Sequence, residues 1–141
     1  MAVTIGWYHK AIKNMALGLV NWTGGVIKCS LHTSGYTPVA NSHEWATDLS
    51  NELNVTGYTA ATLTNCQIVV AAGEINFKAN NVVWQGALIE GARVAVIWQD
   101  KGTPNTSPLL CYVNFGVDRE AFGGAFEIHW YEGTLGKILI G

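Results

Sequence analysis

Charge is scarce in this chain: 8 Lys and Arg and 10 Asp and Glu among 141 residues leave 13% of side chains charged, against roughly a quarter in an average soluble protein. The net charge is −2. The eight basic residues, Lys10, Lys13, Lys28, Lys78, Arg93, Lys101, Arg119 and Lys137, are spread without a cluster. That spacing excludes a groove tracking nucleic-acid phosphates or a patch for anionic lipid. Long apolar runs are also missing. Val94-Ala95-Val96-Ile97-Trp98 is among the longest, about a quarter of the roughly 20 residues that a membrane-crossing helix needs. The opening residues, Met1 to Lys10, carry no basic stretch followed by an apolar core, so synthesis and first use on the cytoplasmic side are expected. Cysteines number three, Cys29, Cys66 and Cys111, with no CxxC spacing. They read as free thiols packed as small hydrophobes, not as a disulfide framework or a zinc knuckle.

Catalytic signatures are lacking as well. The chain has no nucleophile-elbow GxSxG, no P-loop and no GxGxxG. His9, His32, His43 and His129 form no HxH, HxxxH or HExxH spacing, so nothing gathers the three or four ligands a zinc site needs. Acidic residues such as Asp100, Asp118, Glu120 and Glu132 fall in expected turns, where solvent keeps carboxylates ordinary rather than opposed in a cleft. No catalytic residue, metal or cofactor is expected, and the chain is read as a non-enzyme.

What the chain has in quantity is glycine (16), tryptophan (6) and tyrosine (5), residues suited to tight turns and half-buried pleated surface. Ala11, Ile12, Met15, Ala16 and Leu19 make one stripe of a short helix within residues 7–20, ended by Gly18 and Asn21. Val26 to His32 alternates as a strand, with Ile27, Cys29 and Leu31 on one face. Asn41 and Glu44 resemble a capping box opening a helical turn through Trp45 and Leu49, with Glu44 as the cap. Residues 51–64 read as an edge strand or an extended loop. Gly73 predicts a hairpin between Gln67–Ala72 and Glu74–Ala79, and Asn80-Asn81 leads into Val82-Val83-Trp84. Ala92 to Gln99, the longest β-branched run, is the expected central strand, and Asp100 to Pro104 the clearest turn. Leu109 to Phe115 and Phe126 to Trp130 alternate, Gly123-Gly124 reads as a hairpin between them, and residues 137–140 close the chain. The expectation is one domain, 1–141, mainly β: an antiparallel sandwich or jelly roll of about seven to nine short strands with a short N-terminal helix.

Six tryptophans invite a sugar-stacking platform, but Trp84, Trp98 and Trp130 lie in apolar strands where a core role is the simpler reading. Trp7 and Tyr8 stand ahead of the helical stripe and are the expected interface anchors.

The order of turns and aromatics carries a resemblance along nearly the whole chain. Trp7-Tyr8 with Lys10-Ala11, Val26 to Leu31, Ser34-Gly35-Tyr36-Thr37-Pro38, His43-Glu44 and Gly57-Tyr58-Thr59 come first. Asp100-Lys101-Gly102-Thr103, Thr106-Ser107-Pro108-Leu109-Leu110 and Tyr112 to Gly116 follow. This pattern resembles a family of small tailed-bacteriophage structural proteins, departing from it at Cys29, where the family shows Val or Ala. The resemblance implies a capsid decoration or cement protein with a jelly-roll fold. Such a protein sits in the virion, binds the assembled shell, bridges major capsid protein subunits and forms a homo-oligomer there, with no nucleic-acid or membrane partner. A tail-fibre, head-fibre or tail-tip component is the alternative, and a carbohydrate-binding module a further one.

Overall fold

The computed structural model describes residues 3–139. Among them, ten strands form: β1 (Thr4–Trp7), β2 (Val26–His32), β3 (Ala61–Thr62), β4 (Gln67–Ala71), β5 (Glu74–Lys78), β6 (Val82–Gln85), β7 (Leu88–Asp100), β8 (Leu109–Phe122), β9 (Ala125–Ile128) and β10 (Thr134–Leu139). One α-helix, α1 (His9–Ala16), lies near the N-terminus. The fold is mainly β, and every strand pair is antiparallel. The strands exceed the expected number, and β7 and β8, at 13 and 14 residues, are not short. Ile140 of the expected closing strand lies outside the described residues.

A five-stranded sheet runs β1-β8-β7-β2-β3, with a three-stranded sheet β10-β5-β4 and a two-stranded ribbon β6-β9. The β-branched run of residues 92–99 sits in β7, mid-sheet, where Val94, Val96 and Ile97 are buried. Cys29, Ile97, Cys111 and Trp7 are directly opposed in register and so share one face. That face meets the small sheet, where Trp7 packs edge-on against Phe77 with ring centroids 5.1 Å apart. Cys29 and Cys111 flank Ile97 from either side, so their Cα atoms lie two strand spacings apart, roughly 9–10 Å, beyond disulfide reach.

Gly123-Gly124 is not a turn. Val82 to Ile89 faces Ile128 to Ala121 in one unbroken register, and the glycine amides carry it across the gap. The Gly86 N–H donates to the Gly124 carbonyl and the Gly123 N–H to the Ala87 carbonyl. The segments 82–100 and 109–128 are therefore the two arms of one long ribbon, closed by the 101–108 loop. A glycine pair mid-ribbon removes side chains where the arms bend, which from sequence alone looks like a reversal.

The helix begins two residues later than its expected span, because Thr4–Trp7 is extended and paired with β8, and Tyr8 occupies the position before the first helical turn. It ends at Ala16, short of the expected Val20 and before Leu19 of the expected stripe, because Gly18 stops it in a Schellman motif: Gly18, at φ +76°, donates its N–H to the Met15 carbonyl, and Leu19 donates to the Asn14 carbonyl. Of residues 51–64 only Ala61–Thr62 forms a strand, while Leu53, Tyr58 and Leu63 are buried from an extended loop. The helical turn after Asn41 is a single 3-10 turn, Ala46–Asp48, and its cap is Asp48. The Asp48 carboxylate accepts N–H bonds from Glu44 (2.8 Å) and Trp45 (3.0 Å). Partial burial works against its ionised form, but those two donors hold the carboxyl below its ordinary range. Glu44 instead takes Lys13 Nζ at 2.7 Å and Asn14 Nδ2 at 3.2 Å, and the lysine bond keeps its carboxyl low.

Candidate functional site

The helix buries only part of its apolar stripe, with Ile12 and Ala16 left exposed. Ala11 and Asn14 face the core. Ile12, Met15 and Ala16 line an open groove whose other wall is the β4–β5 hairpin. The groove has a volume of about 500 Å³ and no charged residue in its lining. Trp22 fixes its floor: the indole Nε1 donates to the Gln67 and Lys78 carbonyls at 3.1 and 3.2 Å, and the ring meets Phe77 edge-on at 5.5 Å. Register places Ile68 opposite Phe77 and Val70 opposite Ile75, so β4 turns two β-branched residues into the groove. Every residue of β4 is exposed, Val70 at 66%. The compact apolar run 67–72 thus forms an open sheet edge rather than core. Leu17, just past the end of α1, is also exposed, while Leu139 is opposed to Glu74 and so lies on the other face of the small sheet. An apolar area rimmed by polar residues is the usual mark of a contact surface.

The expected anchors separate. As neighbours in an extended segment, Trp7 and Tyr8 project to opposite sides of the sheet. Trp7 is half-buried between the sheets, its Nε1 donating to the Lys137 carbonyl at 2.9 Å. A Cβ on Gly136 would lie 2.5 Å from the Trp7 ring, so the glycine makes room for the indole. Tyr8 is fully buried at 0% exposure, edge-on to Tyr112 at 5.2 Å, with its hydroxyl 2.7 Å from that of Tyr36. Tyr36 in turn lies 3.0 Å from His43 Nδ1. Burial pushes both phenols up, Tyr36 to about 12. The expectation of an exposed Tyr8 is corrected: this aromatic clamps the loop of residues 33–43 to the sheet, and no partner reaches it.

A second, polar constellation lies on the other face of β2. The His32 Nδ1 proton goes to the Ser50 carbonyl at 2.7 Å, because a carbonyl only accepts, and this leaves Nε2 to accept from the Ser30 hydroxyl at 2.8 Å. Trp98 Nε1 donates to the same Ser30 oxygen at 3.1 Å. A hydroxyl aimed at a neutral, oriented imidazole is the relation a serine nucleophile uses. Here Ser30 and His32 are each 1% exposed, and the Ser30 hydroxyl, both His32 ring nitrogens and the Trp98 indole N–H all have partners. The arrangement ties β2, β7 and the 46–52 loop together. Alternation separates Ser30 and His32 from the core face in the sequence, but only the folded loop supplies the Ser50 carbonyl. Among the described residues, no three His, Cys, Asp or Glu converge as for a metal ion. No helix among them is long and apolar enough to cross a membrane.

Comparison with protein families, curated proteins and solved structures finds no match to this chain.

Proposed function

We propose that the chain is a structural protein of a bacteriophage virion, a capsid decoration or cement protein that binds the assembled shell through uncharged surface. The observation that carries this reading is the groove between α1 and the β4–β5 hairpin, left open with only uncharged residues in its lining. Exposed apolar surface favours a docked state over a free one. The sequence resemblance supplies the kind of partner, a lattice of major capsid protein. A protein binding only the assembled lattice stabilises it by about 2.7 kcal/mol per site at a hundredfold excess over its dissociation constant.

The test is binding of the recombinant chain to bare shells at low and moderate salt. Affinity should change less than tenfold, since a contact without charge pairs offers salt little to screen. Ile12→Glu, at an exposed groove position, should weaken attachment by about 2 kcal/mol. A collapse of binding with salt, an Ile12→Glu chain that binds like wild type, or gold label on the tail of purified particles overturns the reading.

A further inference from the structure

Strand β4 pairs with β5 on one side, and among the described residues nothing pairs with its other side. Its five residues, Gln67-Ile68-Val69-Val70-Ala71, contain no charge and no proline. Edge strands normally carry a lysine, a proline, a bulge or a covering segment that prevents pairing. β4 has none of these within its span.

We infer that a second copy of this chain occupies the edge, β4 against β4, antiparallel about a twofold axis through Val69. Three features of the strand lead there. The first is hydrogen-bonding direction. The two-residue turn Ala72-Gly73 closes on the Ala71–Glu74 pair, so Gln67, Val69 and Ala71 face β5 while the N–H and C=O groups of Ile68 and Val70 point outward. With Val69 on the axis, Ile68 of each copy faces Val70 of the other, and all of these outward groups find partners.

The second is the identity of the faces. Opposed residues of an antiparallel pair share a face. A register centred on a residue therefore sets Ile68 and Val70 of both copies on one side, and the two grooves become one apolar surface. A slip of one position would turn the groove of one copy to the opposite side. Centring on Val69 is the choice that also pairs the whole strand.

The third is charge. Glu74 and Lys78 stand at opposite ends of β5, on the face of Val69. Antiparallel pairing sets Glu74 of one copy on the row of Lys78 of the other, whereas parallel pairing sets like on like. Each already has a partner in its own chain, Lys137 Nζ at 3.1 Å for Glu74 and the Glu132 carbonyl at 2.8 Å for Lys78. At three strand spacings, roughly 14 Å, the two are largely screened from each other, so charge gives the antiparallel direction only a weak preference and adds little to its strength.

This inference concerns the chain alone and holds or fails without the capsid reading, so its test contains no shells. Sedimentation equilibrium of the full chain should show a mass rising with concentration from 15.2 kDa toward twice that value. Val69→Lys, which sets like charges face to face on the axis, should weaken the dimer by about tenfold or more. An equimolar mixture of Val69→Lys and Val69→Glu should restore it. Should Val69→Lys lose the wild-type circular dichroism, cysteine variants decide the register. Oxidised Val69→Cys should cross-link to its own copy beyond the wild-type level, and Val70→Cys should not. A wild-type chain that stays monomeric at 100-fold the concentration of a routine micromolar assay overturns the inference, as does a folded Val69→Lys that dimerises normally. Cross-linking at position 70 in place of 69 overturns it too.

Discussion

His32 shows how a single side chain ties stability to pH. Burial lowers its pKa, outweighing the opposing pull of the Ser50 carbonyl and Glu52. The folded chain therefore holds it neutral at a pH where the unfolded chain already binds a proton. The sign follows from that difference: the stabilisation is complete above the ordinary value of 6.5 and is lost as pH falls from there toward the lower folded value. One such group accounts for at most about 1.4 kcal/mol per pH unit. Urea midpoints measured from pH 7.5 to pH 5 should fall in the wild type. In His32→Asn, which keeps a donor for Ser50 and cannot charge, that slope should flatten. An unchanged slope would place the proton uptake elsewhere. The cysteines follow the same logic of burial, with the Cys111 thiol pushed up to about 12.

Among the elements, the β4–β5 hairpin is the one whose local chemistry leaves most to gain. Its turn places Ala72 at φ +50° and Gly73 at φ +77°, a conformation that suits Asn-Gly and costs an alanine about 1 kcal/mol or more. Ala72→Asn should therefore raise the denaturation free energy by about 1 kcal/mol without moving the fold, as a shift in urea midpoint at constant slope. The hairpin was legible because Gly73 separates a compact apolar run from a segment that alternates with period two. Its exposure was not, since Ile68, Val69 and Val70 read the same whether a layer covers them or not. Strand β1 escaped for the opposite reason: four residues, Thr4-Ile5-Gly6-Trp7, are too few for a period, and Gly6 interrupts them. In the folded sheet that glycine leaves room for the Tyr112 ring, whose hydroxyl would lie 2.5 Å from a Cβ there. The helix stripe holds for Ala11, Ile12, Met15 and Ala16, with Leu19 lying past the helix end, and is silent on direction. Periodicity identifies an apolar face without saying how much of it is covered, and Ile12 and Ala16 at the groove are the part that stays exposed.

Across the whole molecule, the mainly antiparallel β architecture and the central place of residues 92–99 were readable from composition and β-branched runs. The continuity of the ribbon was not, because Gly123-Gly124 has the appearance of a turn and only register separates a bend from a reversal. That continuity has a temporal meaning. Its innermost pair, Trp98 with Leu109, closes a loop of only about ten residues, while Thr4 must find Asn114 more than a hundred positions away. Short loops close first and at the smallest entropic cost. Folding should therefore zip outward from the 101–108 loop, with the Trp7–Gly136 contact, which joins β1 to β10, made after the rate-limiting barrier. Gly102→Ala, strained at φ +97°, should slow folding and leave unfolding nearly unchanged. Gly136→Ala, which pushes against the Trp7 ring, should mainly speed unfolding. Stopped-flow chevrons on the two variants give the order of events directly, and a reversed pattern would mean that the chain ends meet before the ribbon does.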